Sequence, residues 1–165
     1  MNYQIKAATV KDIPVIQELT DRIWRPTYQS ILTPDQIVYM LDMMYSTASL
    51  EKQITELQHQ FIILQDDDKP IGFAAYSATD TGGIFKLHKI YLDGSYQGKG
   101  VGKFLLLQVA EQVKERGANI LELDVNRFNK AKQFYEKQGF SVYKEKQTDI
   151  GQGYIMDDYV MRKPL

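Results

Sequence analysis

A chain of 165 residues, 44% of them hydrophobic, is long enough to bury a sizeable core, and residues 1–165 read as a single domain. Its formal net charge of -1 excludes a general attraction to nucleic acid or anionic membrane; no apolar run approaches the roughly 20 residues that span a bilayer, and the N-terminus carries no apolar signal core, which predicts a cytoplasmic protein. The absence of cysteine excludes disulfides, thiolate metal sites and a cysteine nucleophile, and with His59 and His88 as the 2 histidines, neither with a partner at metal-ligand spacing, no metal centre is expected.

In chain order, residues 3–9 read as a short strand. Thr9 and Asp12, with Pro14 in the first turn, start a helix whose Ile13, Ile16, Leu19 and Ile23 share a face; Pro26 ends or kinks it. Thr33-Pro34-Asp35-Gln36 is a capping box with proline at the first helical position, and the helix it opens carries Ile37, Val38, Leu41 and Met44 inward. Residues 46–60 read as a third helix through Leu50, Ile54 and Leu57. Phe61-Ile62-Ile63-Leu64-Gln65 and Ile71-Gly72-Phe73-Ala74-Ala75-Tyr76 then flank Asp66-Asp67-Asp68-Lys69-Pro70, a hairpin whose acidic tip reads as a solvated turn, with attraction of a cationic amine as the alternative.

Residues 84–92 are rich in β-branched and aromatic side chains, read as a strand, and end at the turn signal Asp93-Gly94-Ser95. Gln97-Gly98-Lys99-Gly100-Val101-Gly102 runs from there straight into Lys103-Phe104-Leu105-Leu106-Leu107. A glycine-rich turn that opens a helix offers unpaired backbone N–H groups at close range, which cradles anions, and Lys99 and Lys103 add charge suited to a pyrophosphate. A turn that merely starts a surface helix is the plainer alternative. Walker A spacing is absent, because Asp93 stands five residues before Gly98 and Phe104 follows Lys103. Dinucleotide spacing is absent too, because Lys103 stands where G-x-G-x-x-G requires its third glycine. Val101, Phe104, Leu105, Val109 and Val113 keep helical spacing as far as Arg116-Gly117. A strand over residues 120–125 puts Leu121, Leu123 and Val125 on one face and Glu122 and Asp124 on the other. Asn129 caps a short helix over 130–138 that stops at Gly139-Phe140. Residues 140–148 and 154–161 are two more strands joined by 149–153.

Gln97, Gly100 and Gly102 match Q/R-x-x-G-x-G/A and so resemble the acetyl-CoA pyrophosphate loop of the GNAT superfamily of N-acetyltransferases. Asn129, Ala131, Phe134, Tyr135, Gly139 and Phe140 resemble its last motif, N-x-x-A-x-x-F/Y-Y-x-x-x-G-F. The resemblance spans roughly residues 60–165 and joins the reading above into an α/β (α+β) fold: a mixed, mostly antiparallel sheet of about seven strands with helices on both faces.

What the resemblance implies is acetyl-CoA-dependent transfer to a primary amine, whether small amine, polyamine, amino acid or peptide, with no metal. Gln97, Gly98, Lys99, Gly100, Val101, Gly102 and Lys103 would hold the cosubstrate's diphosphate, Asn129 its pantetheine amides, and backbone N–H groups of Ile90, Tyr91 and Leu92 the thioester carbonyl. Tyr135 would protonate the leaving thiolate; an aromatic packing role beside Phe134 is its alternative. The acceptor pocket would be lined by Trp24, Tyr28 and the 149–153 connection, although core packing also accounts for Trp24 and Tyr28. A base is needed, and His88, Glu122, Asp124 or a water chain are its candidates. The last eleven residues before Arg162 look like those of bacterial polyamine acetyltransferase relatives. A homodimer is common among similar folds. A non-catalytic acyl-CoA-binding or regulatory module, and an enzyme for another acyl group, stay open.

Overall fold

The structure, a computed structural model, describes residues 2–165. Among these residues five α-helices and seven strands follow one another in the order the sequence predicts, and the places where their limits differ have local causes. Thr9 and Asp12 form a reciprocal capping box around one turn of 3-10 helix, which feeds α1 over Ile13–Tyr28. That helix runs through Pro26 instead of ending there. In the last turn a proline removes only the bond to the Arg22 carbonyl, and Gln29 N–H still reaches the Arg25 carbonyl at 2.9 Å.

Thr33 Oγ1 accepts from Gln36 N–H at 3.2 Å to start α2, Pro34–Tyr45. Ile37 and Met40 are its buried residues with Tyr45, whereas Val38, expected inward, is 55% exposed: one position past Ile37 is a rotation of about 100°, enough to leave the apolar stripe. Ser46 caps α3, Thr47–Thr55, which stops short of residue 60 because Gln58 takes a left-handed φ of 58° and turns the chain into the sheet.

The strands are β1 (Tyr3–Ala7), β2 (Gln60–Asp66), β3 (Lys69–Ala78), β4 (Ile84–Leu92), β5 (Ile120–Asn126), β6 (Ser141–Gly151) and β7 (Tyr154–Pro164). They form one sheet in the order β1-β2-β3-β4-β5-β7-β6. Every neighbouring pair is antiparallel except β4 and β5, joined by the crossover helix α4 (Val101–Glu115). The short α5, Ala131–Lys137, links β5 to β6. The 149–153 connection shrinks to a turn around Gln152-Gly153, because Asp149 and Gly151 continue the ladder opposite β7, with Ile150 bulged between them.

Both faces of the sheet are covered. Val101, Leu105, Leu106, Val109 and Val113 of α4 pack on Ile62, Leu64, Leu121 and Leu123; Leu106 takes the fully buried place expected of Phe104, which is only partly buried. On the other face α1 to α3 bring Ile16, Leu19, Trp24, Ile37 and Leu50 onto Phe61, Ile63 and Phe73. Leu105 has 0% exposure, and its truncation to alanine leaves a cavity that neighbours on both the helix and the sheet cannot close. Leu105→Ala is expected to lower the unfolding free energy by about 2–5 kcal/mol, read from the midpoint of a urea melt. No helix among the described residues is long and apolar enough to cross a membrane.

Candidate active site

The site follows from how β4 and β5 part. They are in register only from Ile84 opposite Ile120 to Leu87 opposite Leu123. Immediately beyond, the pairing of β4 with β3 slips by one residue between Ala75 and Tyr76, so that His88 has no partner across the ladder. From there His88 to Leu92 stay with β3 while Asp124 to Asn126 stay with β7, and the two strands splay. Asp93 N–H donates to the Ile71 carbonyl at 2.8 Å, and strand alternation then turns Tyr91 N–H toward β3 but Ile90 and Leu92 N–H to the open side. Of the three residues expected to offer backbone donors, two therefore face the gap.

The gap is a cavity of about 770 Å³ lined by β4, β5, the start of α4 and α5. At its mouth Gly98 and Gly100 take left-handed φ angles of 77° and 79°, and nothing stands within 4 Å of where a Cβ would lie on either. The first bond of α4 is Phe104 N–H to the Gly100 carbonyl, 3.1 Å, so the N–H groups of Val101, Gly102 and Lys103 have no partner inside the helix. Gln97, Gly98, Gly100, Gly102 and Lys103 line the cavity. Two neighbours do not: the Val101 side chain is core, at 2% exposure, and Lys99 Nζ lies 5.8 Å over the Tyr96 ring. Open ground ringed by amide donors, with one lysine beside it, fits a diphosphate.

Tyr135 comes from α5 into the same cavity. Its ring is edge-on to Phe134 and Phe140, at 5.5 and 5.8 Å, and burial pushes its phenol above the usual value, so it stays a proton donor throughout the neutral range. Asn129 lines the cavity as well. It stands two residues before Ala131, one fewer than the motif has, and its Oδ1 accepts from Ala131 N–H at 2.9 Å, which places the cap one residue ahead of Lys130 at the helix start.

A smaller cavity of about 210 Å³ adjoins the first across the His88 bulge, sharing Tyr28, His88, Lys89, Tyr91 and Asp124. Trp24, Tyr28, Tyr45 and Tyr91 give it an aromatic wall, with Trp24 and Tyr28 rings 4.5 Å apart and the Tyr28 and Tyr91 hydroxyls 3.1 Å apart. Met40, Met44 and Met156 also line it, and its charged groups are Asp124 and Asp158 on one side of the balance and Lys86 and Lys89 on the other. The 149–153 segment does not line it; Tyr39 of α2 holds that segment by a bond to the Ile150 carbonyl, and Ile155, Met156 and Asp158 take its place. The acidic hairpin tip lines neither cavity.

The three candidate bases differ sharply. Glu122 lines neither cavity and is paired with Arg162 at 2.9 Å. Asp124 lines both, but its Oδ2 takes Lys86 at 2.9 Å and Lys146 at 3.1 Å, which hold the carboxyl below its usual range despite burial. His88 Nε2 meets Ser77 Oγ at 2.7 Å, and its ring stacks on His59 at 3.9 Å. Burial, with His59, Lys89 and Lys86 close by, pushes its pKa down to about 3. Asn126, Lys89 and Asp158, all in the smaller cavity, were not singled out by sequence. Asp158 had a signal: a charge between Met156 and Val160 on one face of a strand breaks an apolar run.

Residues 28–156 match the family model "Acetyltransferase (GNAT) domain". The chain is 29% identical to the spermidine N(1)-acetyltransferase of Thermoplasma acidophilum over 95% of its own length and 97% of that protein's. It is 36% identical to the [ribosomal protein bS18]-alanine N-acetyltransferase of Haemophilus influenzae, over 55% of this chain and 58% of the other. Its fold superposes on the crystal structure of the PaiA N-acetyltransferase of Thermoplasma acidophilum in complex with coenzyme A with a TM-score of 0.83 at 27% identity, covering 100% of both chains. A splayed parallel pair beside an amide-lined loop, found in a chain that matches the family over most of its length, makes this protein a member of the GNAT acetyltransferases, with acetyl-CoA as its cosubstrate.

Proposed function

We propose that the protein transfers the acetyl group of acetyl-CoA to a primary amine by direct attack on the thioester, with polyamines ahead of amino acids and peptides as acceptors. The observation that carries this reading is the pair of cavities meeting at the β4 bulge: one fits the cosubstrate, and the other, walled by aromatic rings and holding Asp158 without a paired cation among the described residues, fits an alkyl ammonium. The end-to-end likeness to a spermidine acetyltransferase supports the polyamine class. Tyr135 and the second cavity speak against a non-catalytic acyl-CoA-binding module, which would need neither.

In this reading the free N–H groups of Val101, Gly102 and Lys103, behind the open turn at Gly98 and Gly100, hold the diphosphate with the Lys103 side chain beside it, and Asn129 meets the pantetheine arm. Ile90 and Leu92 N–H point toward the carbonyl oxygen and steady the charge that builds there. Tyr135 gives the departing thiolate its proton. The amine must arrive neutral, and an alkyl amine with a pKa of about 10 is roughly 4 kcal/mol short of that at neutral pH. His88 does not meet that need, because a ring held near 3 barely takes up a proton. His88→Gln, which keeps a partner for Ser77, is expected to change kcat/KM by less than about threefold, against the 10²–10⁴-fold typical of a lost acid or base. Pairing of two copies along β6, an edge strand with exposed Val142 and Tyr143, accompanies this reading, and light scattering would register it as a doubled mass.

The direct test is free-thiol release from acetyl-CoA with spermidine, spermine, amino acids and peptides as acceptors. Polyamines are expected to exceed amino acids, whose carboxylate is repelled by Asp158, by at least about tenfold in kcat/KM, or about 1.4 kcal/mol. Tight acetyl-CoA binding without turnover on any amine would overturn the assignment.

A further inference from the structure

Asp158 is only 4% exposed and lines the smaller cavity, yet no described residue donates a hydrogen bond to its carboxylate or pairs with it. Its place on β7 explains both facts. The period of two along the strand turns Asp158, with Met156 and Val160, to the face that α1 and α2 cover, and its cross-strand neighbours are Asn126 on β5 and Lys146 on β6. Lys146 is turned to Asp124, and so is Lys86 of β4. Lys89 donates to Gln53 at 2.7 Å beneath the Tyr45 and Phe61 rings. Asp158 is thus buried and Asp124 half-buried, but Asp124 holds two cations and Asp158 holds none. An uncompensated buried charge is costly to a fold and is retained where a ligand supplies the counter-charge.

We propose that Asp158 is the catalytic residue that receives the acceptor's ammonium group and takes a proton from it, so that the nitrogen meets the thioester uncharged. The assignment rests on the amine-acetylation reading and names the base that reading lacks. Protons balance as follows. The ammonium gives one proton to Asp158, which passes it to water after turnover. The neutral nitrogen forms its bond to the acetyl carbon as the carbon–sulfur bond breaks. The nitrogen then loses a second proton, which makes good the one that the thiolate took from Tyr135.

The surroundings suit the role. Burial and the negative charge of Asp124 raise the Asp158 carboxyl to about 6, with Lys146 and Lys86 pulling it back and Asp157 adding to the rise; Tyr28 of α1, whose hydroxyl is bonded to that of Tyr91, is within reach of its charge. A carboxyl with that affinity is ionised at neutral pH, ready to pair with an ammonium, while holding a proton better than an ordinary aspartate. Asp124 is ionised too, but the two lysines already paired with it hold its carboxyl below the usual range, so it takes up a proton less readily.

The test compares wild type with Asp158→Asn over pH 5–9, with spermidine as acceptor, following thiol release, and measures acetyl-CoA binding by calorimetry. In the wild type kcat/KM for the amine should fall on the acid side with a midpoint near 6 and stay level above it. In Asp158→Asn that acid limb should vanish. At pH 7 kcat/KM should fall by about 10²-fold or more, then climb about tenfold per pH unit as free amine appears, with acetyl-CoA affinity within about twofold. A structural role would not produce rescue by pH. Removing an unpaired buried charge should leave the melting temperature of the variant at pH 8 equal to that of the wild type or above it. Turnover at pH 7 within about threefold of wild type with the acid limb intact, or a melting temperature well below wild type, would overturn the role of Asp158. A wild type that binds acetyl-CoA but turns over no amine would instead defeat the acetyl-transfer reading, and the role of Asp158 with it.

Discussion

Replacing Tyr135 by phenylalanine should lower kcat by about 10²-fold while acetyl-CoA binding stays within about twofold. The ring is edge-on to Phe134 and Phe140 and 8% exposed, so the substitution keeps the packing and removes one oxygen. No described residue bonds that hydroxyl, which lies in the cavity wall, so its loss leaves no partner stranded. The expected loss sits at the low end of the general-acid range, because a thiol with a pKa of about 8.5 leaves as the thiolate with only modest help near neutrality. The signature is a split: thiol release slows at saturating acetyl-CoA and amine, while calorimetric affinity for acetyl-CoA holds. Equal losses in both would make Tyr135 a binding residue, and unchanged turnover would hand the thiolate's proton to water.

Much of the cosubstrate site was legible because it is written locally. The glycine turn, the helix it opens and the strand before it occupy consecutive residues, and the strand over residues 84–92 has the limits of β4. Less legible were features set by partners far off in sequence. Nothing in Lys86-Leu87-His88-Lys89 announces a bulge; it exists because β3 and β4 change register there, and with it comes the splay that makes room for a ligand. Pro26 reads as a stop or a kink, yet the tertiary contacts that bury Ile23 and Trp24 carry the helix through one missing bond. The smaller cavity was the hardest. Residues 149–153 were expected to line an acceptor pocket, but their ladder with β7 and the bond from Tyr39 keep them out of this cavity, and Asp158 enters it through strand pairing alone. A carboxylate in an alternating strand reads as solvated until the helices that roof it are known.

The other large effect belongs to Gly100. At φ 79° and ψ 2° it is the left-handed residue from which α4 starts, and an L-residue pays about 1–2 kcal/mol to stand there, more if β-branched. In Gly100→Val the chain relieves that strain by rotating the peptides around residue 100, which are the ones whose N–H groups rim the cavity. A diphosphate that loses one or two charge-assisted bonds at about 1.5–3 kcal/mol each binds some 10- to 10⁴-fold more weakly. The KM for acetyl-CoA should rise accordingly, with kcat at saturation much less affected, since Tyr135, Ile90 and Leu92 are set by other elements. Space is not the cause, because a Cβ at residue 100 meets nothing within 4 Å, and Gly100→Ala isolates the backbone conformation with a smaller version of the same effect. The decisive comparison uses S-acetylpantetheine, which has the thioester and the arm but no diphosphate. Wild type and Gly100→Val should turn it over alike if the loop acts only on phosphate. A matching loss with the truncated donor would place the damage in the cavity as a whole and take the diphosphate from the loop.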